Sequence, residues 1–106
     1  MMKNKIRKFE FLILIFILLF NIFFGIGHIK TGSMEPAIKT GSFILYEKYP
    51  TSLEVDDIVL FKYGNKIICH RLIKKDELYI YTKGDANIDA DPKIPIEDVK
   101  GKVLFK

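Results

Sequence analysis

Hydrophobic residues follow two different patterns along this chain. Residues 11–27, FLILIFILLFNIFFGIG, form one apolar run in which Asn21 is the only polar residue. From Gly41 onward, apolar residues come in short β-rich runs that are separated by polar, Gly- or Pro-containing turns. A long apolar run favours a helix in a nonpolar environment, whereas short runs between turns favour strands. The pattern therefore predicts one apolar helix followed by a small β domain.

The β-rich part contains five predicted strands. They cover residues 42–49, 57–63, 66–73, 78–83 and 103–105. Gly64-Asn65 lies between the second and third strands and is a two-residue hairpin signal. Residues 84–95, GDANIDADPKIP, are expected to form a polar loop. The fold class is therefore mostly β. At this size a single core is marginal, so we expect stability to depend partly on a membrane or a partner.

The apolar run predicts a transmembrane helix. At about 1.5 Å per residue it would span roughly 25 Å, against about 30 Å of hydrocarbon in a bilayer. Phe9 and Ile29 at its ends, or local thinning of the bilayer, would make up the difference.

Charge is concentrated before this run. Residues 1–10 hold four basic side chains against one acidic side chain, so they account for +3 of the net charge of +4. This distribution argues against a nucleic-acid-binding patch. The positive-inside rule predicts that residues 1–29 are a cytoplasmic flank and single-pass signal anchor, with residues 30–106 outside the cytoplasm. A cleavable signal peptide is the alternative, because Gly25 and Gly27 have the spacing of a cleavage site.

Two polar residues belong to types that carry out nucleophilic catalysis. Ser33 lies in HIKTGSMEPAIKTG, where it can also be a turn residue or cap a helix that begins near Pro36. His70 lies in the middle of a predicted strand, in register with apolar neighbours, a position typical of a core histidine. Hydrolysis of an amide by serine needs a base for the hydroxyl proton and a group that holds this base. Taken singly, neither residue identifies a site.

Other candidate residues have simple structural explanations. Asp85, Asp89 and Asp91 share one loop, where aspartate commonly stabilises turns. A calcium loop would need a differently placed glycine and flanking helices, so we expect no metal site. His28 lies at the predicted membrane boundary, where a half-polar ring is well accommodated. Cys69 is the only cysteine, which excludes an internal disulfide, and is expected to be a small buried strand residue.

Taken in order, three segments resemble the sequence boxes of the type I signal peptidases. TGSMEPAI, CHRL and YTKGDANIDAD are similar to the Ser-Met-Glu-Pro, His-Arg and Gly-Asp boxes of the archaeal and endoplasmic-reticulum-type branch, whereas the bacterial branch has a lysine at the position of His70. VKGKVLF is similar to the closing strand of the family. The resemblance covers nearly the whole chain. It implies a small signal-peptidase-like β domain tethered by one N-terminal transmembrane helix.

The resemblance also implies roles for individual residues. Ser33 matches the nucleophile and His70 the general base. Asp91 matches the acid that orients the histidine, and Asp85 matches a supporting site residue. Asp91 is preferred as the triad acid because Pro92 biases it toward extended backbone, but the loop geometry that separates it from Asp85 is not contained in the sequence.

Residues beside the nucleophile are further candidates. The Ser33 amide and the Thr31 hydroxyl are the oxyanion donors that the resemblance implies, although Thr31 can equally be a turn residue. Gly32 would allow close approach of a substrate backbone or serve only the turn. Met34 would contact lipid and small substrate side chains or pack in the core. Arg71 faces away from His70, so a structural ion pair is expected.

The implied function is a membrane-bound serine endopeptidase. It would cleave signal peptides from secreted preproteins after small residues, typically Ala-x-Ala, through an acyl-enzyme and without a cofactor. Its partners would be preproteins, the lipid bilayer and accessory membrane subunits, with no nucleic acid. The alternatives are a processing peptidase dedicated to a few partner proteins and an inactive, membrane-tethered binding protein of the same fold. The chain is short for the family, which indicates a minimal enzyme or an incomplete C-terminus.

Overall fold

The structure is a computed structural model that describes residues 2–105, and side chains from residue 7 onward. Met1, Lys106 and the side chains of Lys3 and Lys5 in the basic flank lie outside the described residues. Within residues 2–105 there are one α-helix, seven strands and a short 3-10 turn at Ile96–Asp98. They are α1 (Met2–Phe23), β1 (Phe24–His28), β2 (Phe43–Glu47), β3 (Ile58–Tyr63), β4 (Lys66–Lys75), β5 (Tyr79–Lys83), β6 (Ile94–Pro95) and β7 (Val99–Phe105).

The strands form one antiparallel sheet in the order β1-β2-β7-β3-β4-β5-β6. The mostly β class is therefore confirmed. The predicted hairpin is confirmed as well, because Tyr63 pairs with Lys66 and the intervening Gly64 has a φ of 60°. A positive φ at this position of a two-residue turn is readily adopted by glycine.

Apolar side chains are buried on both sides of β3, since successive residues of a strand point to opposite faces. One cluster consists of Met34, Ile38, Ile44, Ile58 and Leu60, and the other of Val59, Phe61, Leu72, Ile80 and Ile94. The first cluster anchors the segment that contains Ser33, and the second underlies His70, whose ring meets Phe61 edge-on.

The helix α1 ends earlier than the apolar run predicts. It stops at Phe23 instead of continuing to Gly27. Lys48 covers its C-terminal end: its backbone N–H donates to the Phe23 carbonyl and its ammonium group to the Asn21 carbonyl, both at 2.7 Å. Lysine is favourable there because the last helical carbonyls lack partners within the helix. No helix in the described part of the chain has the length and apolar character that crossing a bilayer requires, so the predicted transmembrane span is not supported.

The rest of the apolar run forms the strand β1, which pairs with β2 along its whole length. Two glycines of this strand explain the pairing. An added Cβ would lie 2.3 Å from the ring of Tyr46 at Gly25, and 3.1 Å from the Ile44 side chain at Gly27. At these two glycines the backbone of β1 therefore lies against the side chains of Tyr46 and Ile44 in β2. A residue with a larger side chain at either position would clash with them.

Candidate active site

Ser33 lies in a turn and not at the start of a helix. Residues 33–37 have turn conformation, and the Glu35 N–H donates to the Gly32 carbonyl at 3.1 Å. The Glu35 carboxylate accepts hydrogen bonds from the backbone N–H and the hydroxyl of Thr40, at 3.1 and 2.8 Å, which lower the pKa of Glu35. The helix-capping explanation for Ser33 is therefore wrong, and its half-buried hydroxyl has no capping function.

Two hydrogen bonds join this turn to the Asp-rich loop that follows β5. The Ala86 N–H donates to the Ser33 carbonyl at 2.8 Å, and the Asp85 N–H donates to the sulfur of Met34 at 3.4 Å. Met34 is only 1% exposed and belongs to the first core cluster. Of the roles open to Met34, its burial supports core packing, with the added function of fixing the turn against the loop.

His70 and Asp91 form the central polar contact of the site. The His70 Nδ1 atom lies 2.6 Å from Asp91 Oδ2, and His70 is only 6% exposed. The Thr82 hydroxyl donates to the same Oδ2 at 2.8 Å, while the Asp91 N–H donates to the Thr82 carbonyl at 2.8 Å. The sequence reasoning missed Thr82, although its place two residues after the buried Ile80 marks it as a buried strand position.

Gly84 lies where Ser33 and His70 approach each other. A Cβ at this glycine would be 2.7 Å from the Ser33 carbonyl oxygen and 3.0 Å from His70 Nε2. The imidazole nitrogen that is not engaged by Asp91 therefore faces the Ser33 region. In this part of the chain, Ser33 Oγ is hydrogen-bonded to Thr31 Oγ1 at 3.2 Å and has no hydrogen bond to His70. Catalytic hydrogen bonds often tighten only when substrate is bound, so the arrangement is compatible with catalysis.

Asp85 is held in a different interaction from Asp91. Its two carboxylate oxygens accept hydrogen bonds from Nε and Nη2 of Arg71, each at 2.8 Å, and Arg71 Nη1 donates to the Asp56 carbonyl at 2.9 Å. The hydrogen bond to Asp85 raises the pKa of Arg71. The predicted structural ion pair of Arg71 is confirmed. This pair fixes the beginning of the loop, and the contact with His70 fixes its end at Asp91.

The other candidates contribute less to the geometry. Thr31 and Gly32 are exposed, and a Cβ at Gly32 would meet only ordinary contacts of 3.5 Å or more. Asp89 is exposed, and His28 stacks on the ring of Phe43. No group of three or more His, Cys, Asp or Glu side chains converges within the described residues.

A cavity of about 740 Å³ adjoins Ser33 and His70. Its lining includes residues 27–31 from the end of β1 and its extension, residues 66–70 from β4, and an apolar floor that contains Tyr46. Both flanks are strand edges: β1 pairs only with β2, and β4 pairs with β5 only from Arg71 onward. The site therefore offers backbone hydrogen-bonding groups on two sides of an apolar trough.

Cys69 also lines this cavity, next to His70. Burial raises the pKa of its thiol to about 11. Because the thiolate is the nucleophilic form, this raised pKa disfavours Cys69 as a nucleophile at neutral pH.

Comparisons with known proteins identify the family of the chain. The family model described as signal peptidase, peptidase S26, matches residues 2–83. Signal peptidase I W of Bacillus subtilis (strain 168) is 35% identical over 77 residues, which cover 66% of this chain and 40% of that protein. The chain thus spans about 40% of the length of this curated relative. Ser33 and His70 lie within the family match, whereas Asp85 and Asp91 lie beyond it.

Proposed function

The chain belongs to the signal peptidase family, peptidase S26, and from this premise we propose that it is a serine endopeptidase that removes N-terminal signal peptides from preproteins. The observation that carries the proposal is the contact of 2.6 Å between the buried His70 and Asp91. It is supported by Gly84, where an added Cβ would come close to both His70 Nε2 and the Ser33 carbonyl oxygen. A histidine at the base position also supports assignment to the archaeal and endoplasmic-reticulum-type branch, which uses Ser, His and Asp.

The proposed chemistry is acyl transfer. Ser33 Oγ attacks the scissile carbonyl while His70 Nε2 takes its proton, and His70 then returns this proton to the leaving amine. Asp91 holds Nδ1, so that the proton on that nitrogen stays there and the imidazolium is stabilised. The Ser33 N–H and the Thr31 hydroxyl are the proposed donors to the oxyanion. Water, activated by the same histidine, then releases the acyl group from Ser33.

The proposed substrate lies as an extended segment between β1 and β4. Both strand edges have unpaired backbone groups along the cavity, so an added strand gains main-chain hydrogen bonds on two sides. Alternate side chains of such a segment point into the apolar floor, which is partly filled by Tyr46. This geometry supports small residues at alternate positions, as in Ala-x-Ala.

We propose that the enzyme acts at a membrane. The apolar side chains of α1 are exposed from Phe9 to Phe23, except for the half-buried Phe20. The outward face of the adjoining sheet continues this surface, because Ile26 pairs with Leu45, Leu45 pairs with Phe105, and both Ile26 and Phe105 are about 70% exposed. Flotation of the full chain with lipid vesicles, against a variant with charged residues on α1, tests this association. The single-pass orientation and accessory subunits stay predictions.

The decisive experiment is cleavage of an Ala-x-Ala preprotein by the detergent-solubilised chain. Ser33→Ala and His70→Ala are compared with wild type at equal folded fraction, and Ser52→Ala is the matched control that removes a serine hydroxyl from an exposed loop outside the cavity. We expect wild type and Ser52→Ala to cut after the small residues, and the other two variants to lose activity. An inert wild type would favour the inactive binding protein, and equal cleavage by Ser33→Ala would show that Ser33 is not the nucleophile. A panel of secreted precursors separates a general enzyme from a dedicated one.

A further inference from the structure

Thr82 is a polar residue at a buried position where an apolar side chain is expected. It is fully buried in β5, pairs with the buried Leu72 of β4 and lies two residues from the buried Ile80. Valine has nearly the same shape and would fill this space without a hydroxyl. A buried hydroxyl lowers stability unless it is hydrogen-bonded, so its presence requires an explanation beyond packing.

The explanation lies in what the hydroxyl contacts. Thr82 Oγ1 donates to Asp91 Oδ2 at 2.8 Å, and this is the same oxygen that meets His70 Nδ1 at 2.6 Å. The backbone carbonyl of Thr82 also accepts the Asp91 N–H at 2.8 Å. Thr82 therefore holds Asp91 at two points, one on its backbone and one on the carboxylate oxygen used by the imidazole.

We propose that Thr82 is a positioning residue that fixes the Asp91 carboxylate against His70, an inference that rests on the proposed peptidase function. Asp91 lies near the end of a loop, and its side chain is about one-fifth exposed, so it would otherwise rotate toward water. The donor from Thr82 holds Oδ2 at the position where it meets His70 Nδ1. His70 then keeps the orientation in which Nε2 faces Ser33.

Two substitutions separate the hydroxyl from the packing. Thr82→Val keeps the shape and the backbone hydrogen bond but removes the donor, whereas Thr82→Ser keeps the donor and removes a methyl group. Thr51→Val makes the same chemical change on an exposed loop residue and is the control. We expect Thr82→Val to lower kcat about tenfold or more, as for a lost hydrogen bond to a charged group, with KM within about twofold. Thr82→Ser restores kcat even though it unfolds at a lower temperature.

Proton NMR measures the hydrogen bond between His70 and Asp91 directly, in the absence of substrate. In the full-length chain, the far-downfield proton NMR signal of His70 Nδ1–H reports its hydrogen bond to Asp91. Thr82→Val is expected to shift and broaden this signal, and Thr82→Ser is expected to retain it. Circular dichroism at the assay temperature establishes the folded fraction of each variant.

The outcomes distinguish this inference from the proposed function. Wild-type kcat and an unchanged His70 signal in Thr82→Val would overturn the role of Thr82 while leaving the peptidase intact. Thr82→Ser behaving like Thr82→Val would also overturn it, because the hydroxyl would then not be the feature that matters. If wild type itself does not cleave, the proposed function fails, and the His70 signal alone decides whether Thr82 holds Asp91.

Discussion

Replacement of Gly84 by alanine tests the geometry of the site directly. The added Cβ would lie 2.7 Å from the Ser33 carbonyl oxygen, roughly 0.7 Å short of ordinary van der Waals contact, and 3.0 Å from His70 Nε2. Asn87, at 2.6 Å, can swing its side chain away, but the Ser33 backbone and the buried imidazole cannot. Relief of the clash therefore moves the proposed nucleophile and base apart.

The size of this displacement sets the expected effect. Misplacing reacting groups by about 1 Å costs on the order of 100-fold in rate, so a shift of about half that or more predicts a 10- to 100-fold lower kcat for Gly84→Ala. Overpacking should also lower the free energy of unfolding by about 1–3 kcal/mol. Single-turnover cleavage of an Ala-x-Ala peptide, normalised to the folded fraction, measures the first effect, and thermal unfolding measures the second.

The control is a glycine at which alanine strains the backbone without touching the site. Gly64 has a φ of 60° and nothing within 4 Å of an added Cβ, so Gly64→Ala should lose about 1–2 kcal/mol of stability and keep its turnover per folded molecule. Wild-type turnover in Gly84→Ala at equal folded fraction would show that Ser33 and His70 do not react at this point, and would refute the site geometry.

Three further predictions concern carboxylates and the cysteine. On the proposed Ser-His-Asp mechanism, Asp91→Asn should lower kcat by about 10⁴-fold, as in enzymes of that type. Asp85→Asn should mainly lower the melting temperature, because its partner is an arginine and not the histidine. Steady-state kinetics and thermal unfolding of both variants compare them. The Cys69 thiol should react slowly with iodoacetamide at pH 8. The pKa of this thiol is raised from 9.0 to about 11, so the neutral thiol stabilises the fold by at most about 2–3 kcal/mol. This stabilisation should be complete below pH 9 and lost as pH rises to 11. Denaturant titrations should show this loss in wild type and not in Cys69→Ala. Thr40→Val removes the hydroxyl that donates to Glu35, so the lowered pKa of Glu35 should move toward 4.5 in an NMR titration. In wild type, the stabilisation of the fold by the ionised Glu35 is present above pH 4.5 and is lost as pH falls through the lowered pKa. An unchanged Glu35 titration in the variant would contradict the assigned hydrogen bond from the Thr40 hydroxyl.

Five of the seven strands in the described residues were predictable because their signals are local, whereas β1 lay mostly in the predicted helix and β6 in the predicted loop 84–95. The Gly64-Asn65 turn fixes the β3–β4 pairing, and period-2 alternation correctly separated the directions of His70 and Arg71. The boundary between α1 and β1 was not predictable from hydrophobicity, because a continuous apolar run has no alternation that distinguishes a helix from a strand. Gly25 and Gly27 mark the segment that forms β1. The reason is visible only in the structure, where the side chains of Tyr46 and Ile44 in β2 leave no room for a Cβ at these positions.

The site was predictable in its residue types and less so in its contacts. Ser33, His70 and the aspartates stand out as residues of catalytic type. Which aspartate meets the histidine, however, depends on the path of the eight-residue loop from Gly84 to Asp91. That path is set by the Arg71–Asp85 pair and by hydrogen bonds to Thr82, which join residues distant in sequence. Thr82 itself was missed because threonine is common at both buried and exposed positions of strands, so its residue type does not show that its hydroxyl contacts a loop.

The direct junction of α1 and β1 has a mechanical consequence. The helix ends at Phe23 and the strand begins at Phe24, with no loop between them, and Lys48 ties the last helical carbonyls to the end of β2. Tilting of the helix is therefore passed to β1 and, five residues beyond that strand, to Ser33. We therefore expect a change in the medium that surrounds α1 to shift the turn that contains Ser33. On the proposed function, such a change would alter the attack by Ser33 as well as the binding of substrate.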